Sequence, residues 1–217
     1  MIRTTDATIN KEVGILLPGE YYASYDSILS TIVGSCFVVC LYDPLKKIGA
    51  MGHCLLPVLS NSQMKKNEIF QYNINFMEHI IGEMVKLGAD RKTFVVKVFG
   101  GIGKTFNLEY TTDFIKDYCK NENMLLEAID VGGNYRRKLY YFCKTGKVHK
   151  YLVKQNDALS EFINMEKEFI DKVLSDKVQY GNVIEGGELS IIKNPHPSFK
   201  YFFFKISLPR KTINEPI

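Results

Sequence analysis

The chain has 217 residues, 46% of them hydrophobic and 24% charged, with a formal net charge of +4. That length and apolar content suit one domain with a core of its own, and so mild a charge balance excludes a nucleic-acid-binding stripe. The five cysteines, Cys36, Cys40, Cys54, Cys119 and Cys143, are odd in number and irregularly spaced, which reads as reduced thiols in a cytoplasmic protein.

The first twelve residues are polar and read as a flexible N-terminus without the apolar core of a signal peptide. "VGILLPGEYYAS", from Val13, gives a short strand that turns at Pro18-Gly19. Ser30–Tyr42 reads as an apolar strand buried on both faces and interrupted at Gly34-Ser35. The apolar run here is too short, and too broken by polar residues, to insert into a membrane. Asp43-Pro44 signals a turn, and "IGAMGHCLLP", ending at Pro57, returns as a second strand.

Beyond a polar loop, Phe70, Ile74, Met77, Ile81, Met84 and Val85 recur at helical spacing, and Gly88 stands where a helix would stop. "TFVVKVFGG" is a buried strand ending in Gly100-Gly101, and Thr111 or Thr112 would cap a short helix running to about Lys120. Met124–Val153 supplies three strand-like pieces, punctuated by Gly132-Gly133 and Thr145-Gly146. An amphipathic helix over 155–180 and two more strand candidates around Asn194-Pro195 complete the chain. Strands and helices mix without strict alternation, which predicts an α+β fold, a layered sandwich of mixed β-sheet and helices. Residues 13–154 form its main part, and 155–217 add a helical insertion and closing strands to the same domain.

The hairpin carries the chemistry. If the chain turns on Asp43-Pro44-Leu45-Lys46, Tyr42 faces Lys47 and Cys36 faces His53, with Cβ atoms roughly 4.5–5.5 Å apart. An imidazolium beside a thiol favours the thiolate, the form that attacks carbonyl carbon. Gly34 permits a tight bend, and the backbone N–H groups of Ser35 and Cys36 would form an oxyanion hole. The same residues also fit plain packing, since cysteine is among the most buried residue types. A metal site finds little support: Cys40 lies roughly 13 Å beyond Cys36 on a regular strand, and no Cys-x-x-Cys or His pair completes a ligand set.

"GSCFVVCLYDP" followed by "IGAMGHCLLP" closely resembles the signature of the chemoreceptor glutamine deamidases, the CheD family of bacterial chemotaxis. The likeness extends upstream to "GEYYAS" and downstream to "KVFGG" and "DVGGNYRRKLYYFCKTGKV", in order from about Val13 to Leu152. It implies a layered α+β fold and a cofactor-free reaction in which a cysteine converts receptor glutamines to glutamate through a thioester, releasing ammonia. Cys36 takes the nucleophile's position and His53 the base's. A hydroxyl residue just before the cysteine orients the histidine, and Ser30 and Thr31 both qualify; strand parity puts Ser30 on the face of Cys36. The implied partners are the cytoplasmic domains of chemoreceptors. An adaptor role, binding a CheC-type chemotaxis phosphatase, is the alternative, although an adaptor needs no nucleophile. The chain departs from the family's pattern in "NLEYTT" and in the helix over 155–180.

Gly132, Gly133, Asn134 and Arg137, with Arg136, form a candidate substrate loop, and a glycine turn followed by solvated arginines fits the same residues. Tyr140, Tyr141 and Phe142, like Phe202–Phe204, read as core strands, while His79, His149 and His196 lack ligand partners nearby.

Overall fold

The computed structural model describes residues 1–54, 66–102 and 107–153. The apolar stretch from Ile28 to Asp43 is two strands rather than one. β4 (Ile28–Val33) lies in one sheet and β5 (Phe37–Asp43) in the other, because the chain bends at Gly34–Cys36 and crosses between them.

The first sheet also holds β1 (Ile2–Asp6), β2 (Lys11–Ile15), β9 (Arg136–Phe142) and β10 (Lys147–Val153), in the order β1-β2-β4-β9-β10. The second holds β3 (Tyr21–Ser24), β6 (Ile48–Cys54), β7 (Val95–Gly100) and β8 (Leu125–Val131), in the order β3-β6-β5-β7-β8. One neighbouring pair in each sheet is parallel, β2 with β4 and β7 with β8, and the rest are antiparallel. Two helices, α1 (Lys66–Lys86) and α2 (Asn107–Asn121), lie over the second sheet.

Burial follows the pleat. On β5, Phe37, Val39 and Leu41 face the helices and meet Met77, Ile80 and Ile115. Cys36, Val38 and Cys40 face the first sheet and meet Leu29, Leu139 and Tyr141. Because the second sheet is covered on both sides, its central strands read as continuous apolar runs. Helix layer, sheet and sheet make the layered α+β sandwich that the sequence implied.

The N-terminus is not loose: β1 and β2 pair along the edge of the first sheet. Asp6 there accepts a hydrogen bond from Lys138 Nζ at 2.9 Å, and both side chains are buried. α2 begins at Asn107, so neither threonine caps it; Thr112 Oγ1 instead donates to the Leu108 carbonyl one turn back. α1 ends as expected, with Gly88 at φ +93° and its N–H donating to Val85 O. Among the described residues, no helix is long and apolar enough to cross a membrane. The helix expected over 155–180, the strands after it, His196 and Phe202–Phe204 lie outside the described residues.

The hairpin register also differs from the expected one. Asp43 pairs with Ile48, so the loop is Pro44–Lys47 and His53 lies opposite Val38 rather than Cys36. Two features move the turn along by one residue. Asp43 Oδ1 accepts from the N–H groups of Leu45 and Lys46, and Lys47 closes the loop in the left-handed region at φ +55°.

Candidate active site

Gly34, Ser35 and Cys36 form the bend that carries the chain from sheet to sheet, and it is pinned from β7. Gly101 N–H donates to Cys36 O at 2.8 Å, and Ile102 N–H donates to Gly34 O at 3.0 Å. Gly100 has φ +118°, and a Cβ there would lie 2.1 Å from Cys36 O. Only glycine lets the end of β7 approach the cysteine's backbone this closely, which gives the "KVFGG" motif its physical reason. Cys36 itself is 1% exposed.

His53 sits on β6 on the face between the sheets, the face that also carries Cys36. Cys36 is two residues back from Val38, the strand partner of His53. It stands in the bend one residue before the first ladder pair, Phe37 with Cys54, and is buried in the same layer between the sheets as Val38. The backbone of His53 is gripped on both sides by the turn before β3: His53 N–H donates to Glu20 O at 2.9 Å, and Gly19 N–H donates to His53 O at 2.7 Å.

The ring is oriented by Thr31, not Ser30. Thr31 Oγ1 lies 2.8 Å from His53 Nδ1 and 2.7 Å from the Leu16 carbonyl. A hydroxyl has one proton and a carbonyl only accepts, so Thr31 donates to Leu16 O and must accept from Nδ1–H. That assigns the proton to Nδ1 and leaves Nε2 with its lone pair, buried and without a hydrogen-bond partner among the described residues. Burial pushes His53 down to about 3, so the ring is neutral at neutral pH, not the imidazolium that the sequence argument invoked.

Ser30 points the other way. It pairs with Tyr140 on the outer face of the first sheet, and its buried hydroxyl has no partner among the described residues. Strand parity failed because the crossing at Gly34–Cys36 resets which face is which. Ser35 lies in the bend beside Cys36.

The remaining candidates divide. Gly132 and Gly133 take φ +81° and +76°, and Gly133 and Asn134 are exposed. Arg137 is not solvated but buried, donating to Asp130 Oδ1 at 2.8 Å, to Asp130 Oδ2 at 3.2 Å and to Gly132 O at 3.0 Å. It clamps β9 of one sheet to β8 of the other. Burial alone would raise Asp130, but Arg137 and Lys150 outweigh it and hold the carboxyl below its usual range. Arg136 lies against Gly34, where a Cβ would sit 2.8 Å from its Nη1. His79 stacks on Tyr21 and His149 packs on Phe142. Sequence reasoning missed the Leu16–Glu20 turn as part of the site, and the only signal for it was the "GEYYAS" likeness.

Cys36, His53 and Thr31 are all buried, and the Thr31 hydroxyl meets the His53 ring in the layer between the two sheets. The family model "CheD chemotactic sensory transduction" matches residues 55–151, beginning just after His53. The probable chemoreceptor glutamine deamidase CheD 1 of Shewanella oneidensis is 35% identical, over 81% of this chain and 85% of its own length. Probable chemoreceptor glutamine deamidases CheD of Laribacter hongkongensis and Methylobacillus flagellatus are 37% and 33% identical, over 66% and 80% of this chain and 73% and 89% of theirs. The chain belongs to the CheD family.

Proposed function

We propose that the protein is a cytoplasmic chemoreceptor glutamine deamidase that uses Cys36 as its nucleophile. The curated relatives carry that activity in their names, and this chain spans most of their length. Cys36 Sγ attacks the side-chain amide carbon of a receptor glutamine while its proton passes to His53 Nε2. The carbonyl oxygen becomes an oxyanion received by the N–H groups at Ser35 and Cys36. His53 returns the proton to the departing amide nitrogen, so ammonia leaves and a thioester remains. Nε2 then takes a proton from water, the hydroxide attacks, and glutamate and the Cys36 thiol are regenerated. No cofactor or metal enters. Gly133 and Asn134 lie on the exposed loop that meets the receptor.

The observation that carries this reading is the Thr31–His53 hydrogen bond, which puts the ring proton on Nδ1 and leaves Nε2 with a lone pair to accept one. The test measures ammonia release and the Gln-to-Glu mass change on a receptor cytoplasmic fragment, with wild type and Cys36→Ala in parallel. Conversion by the wild type alone supports the reading. Conversion by both means that another residue is the nucleophile. Conversion by neither, with both proteins folded and a cognate receptor supplied, favours the adaptor role with a CheC-type phosphatase.

A further inference from the structure

The Thr31 hydroxyl does not end the chain of hydrogen bonds behind His53. Its acceptor is the carbonyl of Leu16 at 2.7 Å, and the same peptide unit presents the N–H of Leu17 on its other side. That N–H donates to Glu20 Oε2 at 2.9 Å. One peptide group is thus held between a carboxylate and a hydroxyl, and the hydroxyl in turn holds the imidazole. We propose that Glu20 is a positioning residue of the Cys36–His53 site, acting through the Leu16–Leu17 peptide and Thr31 to keep the His53 proton on Nδ1. The proposal rests on the deamidase reading for its kinetic consequence, but not for its structural one.

Three features support it. A carboxylate on the N–H side of a peptide polarises the carbonyl and makes it a stronger acceptor, and hydrogen bonds in a buried chain reinforce one another. The target of this polarisation is enclosed, since Leu16, Thr31 and His53 are all buried. Glu20 also holds the same histidine by a second route, through its own carbonyl and the His53 N–H at 2.9 Å. A residue that grips both the backbone and, at one remove, the ring of a base is placed to set that base's geometry. Among the described residues, the other charged group on the carboxylate is the Met1 ammonium, 2.9 Å from Oε1. It leaves Oε2 to the peptide.

The test is a double-mutant cycle on the full-length chain with Glu20→Gln, Thr31→Val and the double variant, read in two ways. Ring nitrogen NMR of histidine-labelled protein reports which nitrogen of His53 carries the proton; steady-state deamidation of a receptor fragment gives kcat and KM. In the wild type the proton sits on Nδ1. Glu20→Gln shifts the His53 ring signals and lowers kcat about tenfold with KM within about twofold, as expected for the loss of an outer partner. In the Thr31→Val background the same change does neither, because the relay is already cut. A purely structural role for Glu20 predicts additive effects, and additivity overturns the proposal, as does a proton on Nε2 in the wild type. Glu20→Asp keeps the charge and recovers part of the loss; should Glu20→Gln fail to fold, it carries the cycle. If wild type converts no glutamine, the deamidase reading falls and the ring signals alone decide: non-additive shifts support the relay, and no shift on changing Glu20 ends it.

Discussion

Thr31 on β4 and His53 on β6 belong to different sheets, and their side chains meet at 2.8 Å in the layer between them. The hydrogen bond ties the two halves of the sandwich together at the point where the chemistry is proposed. Replacing Thr31 by Val removes it while keeping the branched shape. Nδ1–H and the Leu16 carbonyl then lose a partner inside the protein, which costs about 1–3 kcal/mol of stability. The imidazole also loses its orientation, and kcat is expected to fall about 10- to 100-fold. Thr31→Ser, which restores the hydroxyl, should recover most of the rate. Urea unfolding and deamidation kinetics on the three proteins check both expectations.

His53 makes the fold acid-sensitive. Its folded-state value is pushed down to about 3 by burial, whereas in the unfolded chain it takes a proton near its ordinary value of about 6.5. Between those values the unfolded state binds a proton that the folded state refuses, so stability falls as pH falls, by about 1.4 kcal/mol per pH unit at the limit. Asp6, Asp43, Glu78 and Asp130 also have depressed values, but their contribution is present above the ordinary carboxylate range and is lost only as pH drops below it. The window from about pH 6.5 to 5 therefore isolates the histidine. Melting curves across that window should show a falling midpoint for the wild type and a flatter profile for His53→Gln.

The Asp6–Lys138 pair is a second buried charge site, joining residues 132 positions apart. Burial works against both charges. For Asp6 the hydrogen bond and charge of Lys138 win, and its carboxyl stays below the usual range; Lys138 is pulled below its ordinary value by burial despite Asp6. Breaking such a pair from one side leaves the other charge uncompensated. Asp6→Asn is expected to cost about 3–5 kcal/mol in urea unfolding, and Asp6→Leu with Lys138→Met together markedly less.

The same pair shows where sequence reading stops. β1 alternates exposed and half-buried residues and looks polar, because it is an edge strand whose one buried charge finds its partner on β9. No local signal marks that partnership. The layered α+β class, the long helix ending at Gly88 and the three strands after Met124 were legible, since each rests on periodicity or on a glycine within its own segment. The hairpin was legible but its register was not: nothing about a lysine announces that Lys47 adopts φ +55°. Cys36 and His53 were singled out by residue type and resemblance, whereas the choice between Ser30 and Thr31 as the partner of the His53 ring depended on a sheet crossing that parity does not see. Arg137 read as a substrate-loop residue or a solvated arginine because its partners, Asp130 and the Gly132 carbonyl, come together only when the sheets close.

Gly100 offers a test of how tightly the bend at Cys36 is held. At φ +118° an L side chain is strained whatever the space, and here the space is also filled: a Cβ would stand 2.1 Å from the Cys36 carbonyl oxygen. That atom is backbone and cannot swing aside, so Gly100→Ala must shift either the end of β7 or the bend itself. The strain alone is worth about 1–3 kcal/mol. A displaced bend also moves Cys36 relative to Nε2, and a misplacement of about 1 Å can cost 100-fold in rate. Gly133 supplies the control. It too has positive φ, +76°, but a Cβ there meets nothing within 4 Å, so Gly133→Ala is strained without a collision. Gly100→Ala should therefore lower both the melting midpoint and the Cys36 alkylation rate by iodoacetamide, whereas Gly133→Ala should lower the midpoint and leave the alkylation rate near wild type. Equal alkylation rates in Gly100→Ala and wild type would show that the bend holds its geometry without β7.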